Sequence, residues 1–221
     1  MNLIRTLGEL AIGQGCLQCA APGRAWCDRC LASVVDVHRR QTPNAFSVAA
    51  GTYYRGPVRT AIVSHKESGQ LALVTPLARL LVAGLNAPRR SLLVPVPSTR
   101  ATVRARGQDH SRRLAQVVAR MTGGSVVRPL RWSRSVADQS GLSVRGRRAN
   151  VWGSMVAMGG VLPKSHDRAG RPPGVWVIDD VMTSGATIDE AVRALVASGW
   201  TVTGAAVVAT VNRRIEQGVW P

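Results

Sequence analysis

The chain has 221 residues, enough to bury one sizeable core with room for a small appendage, and 45% of them are hydrophobic, which excludes a disordered polyelectrolyte. Lys and Arg total 29 against 12 Asp and Glu, a formal charge of +17, and Lys66 and Lys164 are the only lysines. No run reaches the roughly 20 apolar residues that span a bilayer, and Gly8, Glu9 and Gly13 spoil a signal-peptide core, so a cytoplasmic protein without a membrane span is expected.

In chain order, a short helix over 2–12 precedes four cysteines, Cys16, Cys19, Cys27 and Cys30, spaced C-x2-C-x7-C-x2-C. Two CxxC units can close a tetrahedral thiolate site around a structural Zn²⁺. The seven-residue gap makes this a compact knuckle, with tight turns at Gly15, Pro22 and Gly23. Disulfides are the alternative, disfavoured in a cytoplasmic chain. The knuckle is assigned residues 1–42, and an α/β domain residues 43–221.

A strand is expected at 46–54, then a helix opened by Pro57 and running to about Glu67, just past Lys66. A second helix spans 71–85, with a weak point at Pro76. Residues 91–96 read as a short apolar strand ending at Pro97, followed by a basic, glycine-containing loop over 98–107. His110 opens a helix to Arg120, with Leu114, Val117 and Val118 on one face. Residues 126–132 read as a strand, 133–150 as a long flexible loop and 163–174 as an irregular linker. Between Arg89 and Arg148 there are 14 arginines and two acids, Asp109 and Asp138, a field that attracts polyanions.

Residues 175–178 form a continuous apolar run, as in a parallel strand buried on both faces. It stops at Asp179 and Asp180, where the carboxyl ends of parallel strands place ligands. The helical pattern starts at Ile188, and Thr187 with Glu190 reads as a capping box. The loop between (Thr183, Ser184, Gly185, Ala186, Thr187) offers backbone N–H groups and a positive helix end to an anion. Residues 203–211 are the last strand. Strands alternating with helices argue an α/β parallel sheet flanked by helices.

The order apolar-apolar-Asp-Asp-Val181-Met-Thr-Ser-Gly-x-Thr resembles the phosphoribosyl diphosphate (PRPP) motif of type I phosphoribosyltransferases, with Trp176 standing where an aliphatic residue is usual. The double CxxC, Lys66, Val94-Pro-Val-Pro97, Arg106-Gly107, Gln139-x-Gly-Leu-Ser143 and Arg147-Arg148-x-Asn150 precede it in order. Together they resemble the ComF family, phosphoribosyltransferase-like proteins linked to DNA uptake in competent bacteria, over nearly the whole chain. The family's Arg-Gly-Phe-Asn-Gln is replaced here by Arg106-Gly-Gln-Asp-His110.

The resemblance implies roles. Asp179 and Asp180 would accept hydrogen bonds from the ribose 2- and 3-hydroxyls. Val181 and residues 183–187 would cradle the 5-phosphate. Pro97, Ser98 and Arg100 would hold the diphosphate, the guanidinium binding two oxygens at once. Arg147 and Arg148, on the loop that closes over the site, would neutralise the leaving diphosphate, and Lys66 would face the same anion. Mg²⁺ would accompany PRPP. Single-stranded DNA and DNA-uptake proteins are the implied partners, with Trp132 and Trp152 the candidate stacking rings. Three functions stay open: a ComF-type competence factor binding PRPP or a related ribose phosphate, a nucleobase phosphoribosyltransferase of salvage, and a non-catalytic PRPP sensor.

Overall fold

The computed structural model describes residues 15–87, 89–133, 151–159 and 174–211. Among these, a mainly parallel sheet is covered by helices on both faces. Its centre is β7 (Val175–Met182) and β8 (Val202–Thr210), with β2 (Ser47–Tyr53) beyond β8 and β3 (Leu92–Pro95) beyond β7. All three contacts are parallel. β4 (Ser125–Val126) extends the sheet past β3 in parallel, and β1 (His38–Gln41) closes the opposite edge antiparallel to β2.

Alternating side chains of the central strands feed two cores, as a pleated sheet requires. Trp176, Ile178, Ala206 and Val208 face α2 (Gly56–Glu67), α3 (Val74–Gly84) and α5 (His110–Thr122). Val175, Val177, Ala205 and Val207 face α6 (Ala186–Ala197). The cysteine-bearing segment, with α1 (Asp28–Ala32), packs Cys16, Trp26, Cys30 and Leu31 into the first core. Trp176 fits a central strand because β8 offers Gly204 beside it: a Cβ there would come within 2.6 Å of the Trp176 ring.

Several expectations are corrected. β1 was not anticipated. Pro76 does not weaken its helix, because α3 begins at Val74 after a 3-10 turn over Leu71–Leu73, so the proline sits in the first turn, where its missing N–H costs nothing. The basic loop after Pro97 contains α4 (Arg100–Arg106), capped by the Thr99 hydroxyl, which accepts from the Thr102 N–H at 3.1 Å. The strand expected over 126–132 is two: β4 in the main sheet, and β5 (Leu130–Trp132), which pairs antiparallel with β6 (Met155–Ala157). Pro129 lies between them. The strand expected to stop at Asp179 runs on to Met182.

The capping box at Thr187 does not form. Gly185 is the N-cap of α6 and Thr187 lies inside the helix. The reason is Glu190, whose carboxylate is engaged elsewhere. It is fully buried, accepts the N–H groups of Gly153 (3.0 Å) and Met155 (2.7 Å), and pairs with the Arg193 guanidinium at 2.7 Å. Arg193 also donates to the Met155 carbonyl, Ser198 to Ala157 and Trp200 to Met158. One face of α6 is therefore stapled to β6. Burial alone would raise the Glu190 carboxyl, but the Arg193 and backbone donors outweigh it and hold it below the usual carboxylate range.

Removing one partner of a buried ion pair strands the other, at a cost of about 3–5 kcal/mol. Arg193→Ala, which leaves the fully buried Glu190 carboxylate without its cation, should lower the urea unfolding free energy by about that amount, and Glu190→Ala, which leaves a partly exposed guanidinium and two N–H groups, by about 1–3 kcal/mol. Equal, small losses would show that the staple contributes little.

Candidate functional site

The site is built at the carboxyl end of β7, where the sheet runs out of apolar partners. Asp179, Asp180 and Val181 are half-buried there, while Ser184 and Gly185 are buried beneath the loop. Gly185 takes φ +82, a left-handed backbone that favours glycine. A Cβ at this position would also press on Thr42 at 3.1 Å and Pro43 at 3.2 Å. The turn of residues 42–45 is tied down in its turn. Thr42 donates its hydroxyl to Asp189, in the first turn of α6, and the Asn44 N–H donates to the same carboxylate at 3.1 Å. Ser184 Oγ accepts from the Ala186 N–H at 3.4 Å. Asp189 and Glu190 thus brace the start of α6 from two sides.

Two helices converge on the two acids. Lys66, at the end of α2, donates to Asp180 Oδ1 at 2.8 Å. Ser111, in the first turn of α5, donates to Asp179 Oδ1 at 3.4 Å, and the Asp180 N–H reaches the same oxygen at 2.9 Å. Burial and the neighbouring Asp180 charge push Asp179 up to about 7, against the pull of Lys66. Burial would lower the Lys66 ammonium, but the Asp180 charge holds it above its ordinary value. Near neutral pH, then, one carboxylate is ion-paired and its neighbour is poised between its two forms.

The turn after β3 lies beside this point, since the Val96 N–H bonds the Ile178 carbonyl at 2.9 Å. Pro97 offers its carbonyl to the Trp132 indole N–H at 2.7 Å, and Ser98 donates to Asp109, the N-cap of α5, at 3.3 Å. Arg100 opens α4, and its side chain lies outside the described residues, as do Arg147 and Arg148 and the whole segment expected to close over the site. Trp132 is half-buried, whereas Trp152 is exposed with the Arg193 guanidinium 5.9 Å above its ring.

A cleft of about 1610 Å³ opens on the other side of α5's first turns, between α4 and the β5–β6 hairpin. Arg104, Arg112, Arg113, Arg128 and Arg131 line it, and it shares Pro97, Ser98 and Thr99 with the turn after β3. Among the described residues, the diacid and the loop of residues 183–187 do not line this cleft.

The four cysteine sulfurs lie within 4.8 Å of one another, and none is in a disulfide. Cys19 and Cys27 Sγ are 3.7 Å apart. Four sulfurs bound tetrahedrally at about 2.3 Å from a zinc ion would lie about 3.8 Å apart. Burial opposes a thiolate at Cys16, but the backbone N–H groups of Cys27, Cys19 and Gln18 turn toward it and bring it down to about 6. Burial, and hydrogen bonds that the Cys30 thiol donates to the other cysteines, push Cys30 up to about 12. A cluster that already stabilises one thiolate suits a metal ion.

Sequence reasoning did not single out Ser111, Asp189 or His65, and it read Glu190 only as a capping partner of Thr187. Asp189 and Glu190 carried a legible signal, being two acids in the opening turns of a helix that starts from an anion-type loop. Ser111 and His65 carried none, because only the fold brings α2 and α5 together over β7.

No family model matches the chain, and no curated protein matches it. Among solved structures, the orotate phosphoribosyltransferase from Aeropyrum pernix is similar, with 16% identity over 86% of this chain and 94% of that chain and a TM-score of 0.34. A superposition this loose says nothing of residues or substrate. No helix among the described residues is long and apolar enough to cross a membrane.

The Asp179 pKa makes a signed prediction. Its folded value lies above the unfolded one, so the folded state binds the extra proton between about pH 4 and 7, and stability falls as the pH rises through that window. Asp179→Asn should raise the melting temperature at pH 8, with the gain fading toward pH 4. A gain that is constant with pH, or largest in acid, would contradict the crowded diacid.

Proposed function

We propose that this chain is a ComF-like protein of the type I phosphoribosyltransferase fold that binds PRPP, or a related ribose phosphate, with Mg²⁺ at the carboxyl end of β7. The observation that carries the reading is the diacid held by Lys66 and Ser111 directly before the α6 loop. Ionised carboxylates accept hydrogen bonds from sugar hydroxyls, and an anion-type loop follows them directly in the chain.

In this reading Asp179 and Asp180 hold the ribose 2- and 3-hydroxyls. The backbone of Val181, with Thr183, Ser184, Gly185, Ala186 and Thr187, receives the 5-phosphate. Pro97, Ser98 and Arg100 face the diphosphate, and Arg147 and Arg148 offset its charge as it departs. Lys66 shares its charge between Asp180 and the incoming anion. Mg²⁺, when bound with the ligand, supplies electrostatic stabilisation of the diphosphate. If transfer occurs, C1 loses diphosphate through an oxocarbenium-like state and a nitrogen nucleophile attacks it. The arginines serve where the negative charge grows.

Residues 1–42 are taken as a structural zinc module on the domain of residues 43–221, in a cytoplasmic protein of DNA uptake, natural transformation or DNA metabolism. The arginine-lined cleft supports single-stranded DNA as a partner, since neutralising phosphates dominates such binding. A salvage phosphoribosyltransferase and a non-catalytic PRPP sensor remain the alternatives, because each needs the same diacid and loop.

Incubation with PRPP, Mg²⁺ and a panel of nucleobases, following diphosphate release, separates these. Release with one base marks the salvage enzyme, while binding without release favours the competence factor or sensor. Elemental analysis should find zinc at one per chain in the wild type and not in Cys16→Ser. Full zinc retention in that variant would rule out the four-thiolate site.

A further inference from the structure

The last turn of α2 is a three-residue peg. His65, Lys66 and Glu67 each hold a different element. Lys66 takes Asp180 of β7, Glu67 takes Arg106 of α4 at 2.6 Å, and His65 meets His110 of α5 with the rings edge to face, 5.1 Å between centroids. The residue after each histidine serves the diacid, Lys66 on Asp180 and Ser111 on Asp179. Neither imidazole is needed for this by its own hydrogen bonds, yet both are buried, with 4% and 3% of their surfaces exposed.

The pair's hydrogen bonding is incomplete. His65 Nδ1 donates to the Gln70 carbonyl at 3.2 Å, so its Nε2 carries the lone pair, and that atom is buried without a partner. Among the described residues, both ring nitrogens of His110 are buried without one as well. A proton added to either ring would create a buried cation with an N–H that finds no acceptor, which is costly.

The surroundings sharpen this. Lys66 faces both rings, Arg113 of α5 faces His65, and Arg106 of α4 faces His110. Asp180, already engaged by Lys66, is the acid that draws both rings toward their charged form. His110 is also the first residue of α5, at the positive end of the helix. Burial foremost holds both imidazoles below their ordinary value; at His65 the Gln70 carbonyl and Asp180 oppose it, and at His110 a charge on His65 and then Arg106 add to it.

We infer that the His65–His110 contact is an acid-sensitive joint: neutral, it seats the end of α2 on α5 and so holds Lys66 and Ser111 on the diacid, and when protonated it parts and the site loses its ordered form. The inference deepens the ribose-phosphate reading by adding regulation to that site, and as far as ligand binding goes it rests on that reading. The direction follows from linkage. Histidines whose folded values lie below about 6.5 contribute stability that is complete above that pH and is lost as the pH falls below it. His65 and His110 are positioning residues here, acting through Lys66 and Ser111.

The experiment has a ligand-free arm and a ligand arm, both on the full chain. In the first, the histidine Cε1–H resonances are titrated from pH 8 to 5 while amide exchange is followed in α2 and the start of α5. Two histidines should resist protonation until well below pH 6.5, and exchange in the last turn of α2 should accelerate as they titrate. Ordinary titration of all the histidines, or exchange that ignores their titration, overturns the inference.

In the second arm, PRPP with MgCl2 is titrated into the wild type and into His65→Phe/His110→Phe, which keeps two packed rings and removes the protons. At pH 8 the affinities should agree within about threefold. In acid the wild type should lose about tenfold more affinity per pH unit than the variant, the difference being one proton. Parallel pH profiles overturn the joint. If PRPP binds neither protein at pH 8, the ribose-phosphate reading fails, and the ligand-free arm alone decides the joint. If the double variant does not fold, that same arm on the wild type decides it.

Discussion

Two consecutive carboxylates at the end of a buried strand must be held against their mutual repulsion, and much of the surrounding structure answers that requirement. Coulomb repulsion between unit charges a few ångströms apart is worth a few kcal/mol at the effective dielectric of a protein margin. Here the relief is divided. Asp180 takes the Lys66 ammonium, and Asp179 is pushed toward protonation while accepting from Ser111 and from the backbone beside it. Because Lys66 sits in the last turn of α2 and Ser111 in the first turn of α5, satisfying the acids fixes two helices on the sheet. Glu67 and Arg106 extend the tie to α4, the helix after the Pro97 turn.

The loop beyond the acids is held differently. Asp189 reaches back to Thr42 and Asn44, and Glu190 reaches across to Gly153, Met155 and Arg193. Asp189 is held by donors from outside the helix, whereas Glu190 is held by the Gly153 and Met155 N–H groups and by Arg193 of α6 itself. Gly185, at φ +82, turns the backbone into the helix between these two braces.

The strand that carries the two acids was legible in the sequence, because the apolar run of residues 175–178 marks a strand buried on both faces by composition alone. The order of strands in the sheet was not legible, because it is set by which edges meet across the fold. The cysteine cluster was legible because its spacing is a chemical constraint. Local pattern failed where tertiary contact decided. Glu190 reads as a capping residue, but a fully buried carboxylate is worth more as the staple to β6 than as a surface cap. Residues 126–132 read as one strand because nothing local says that β4 joins the main sheet and β5 leaves it. Lys66 could be flagged as an unusual lysine in an arginine-rich chain, but its partner lies 114 residues away, and His65 and His110 meet only through packing. Trp176 departs from the usual pattern of its motif for a reason held on another strand, the space above Gly204.

The central claim is that the Asp179–Asp180 pair holds a ribose diol in front of a phosphate-binding loop. Isothermal titration of PRPP with Mg²⁺ into the wild type and into Asp179→Asn/Asp180→Asn at pH 8 tests it most directly, with circular dichroism confirming that the variant is folded. The account predicts saturable binding at one site per chain in the wild type and its loss in the variant. Equal affinity in the two proteins, or no binding to the folded wild type, would contradict it.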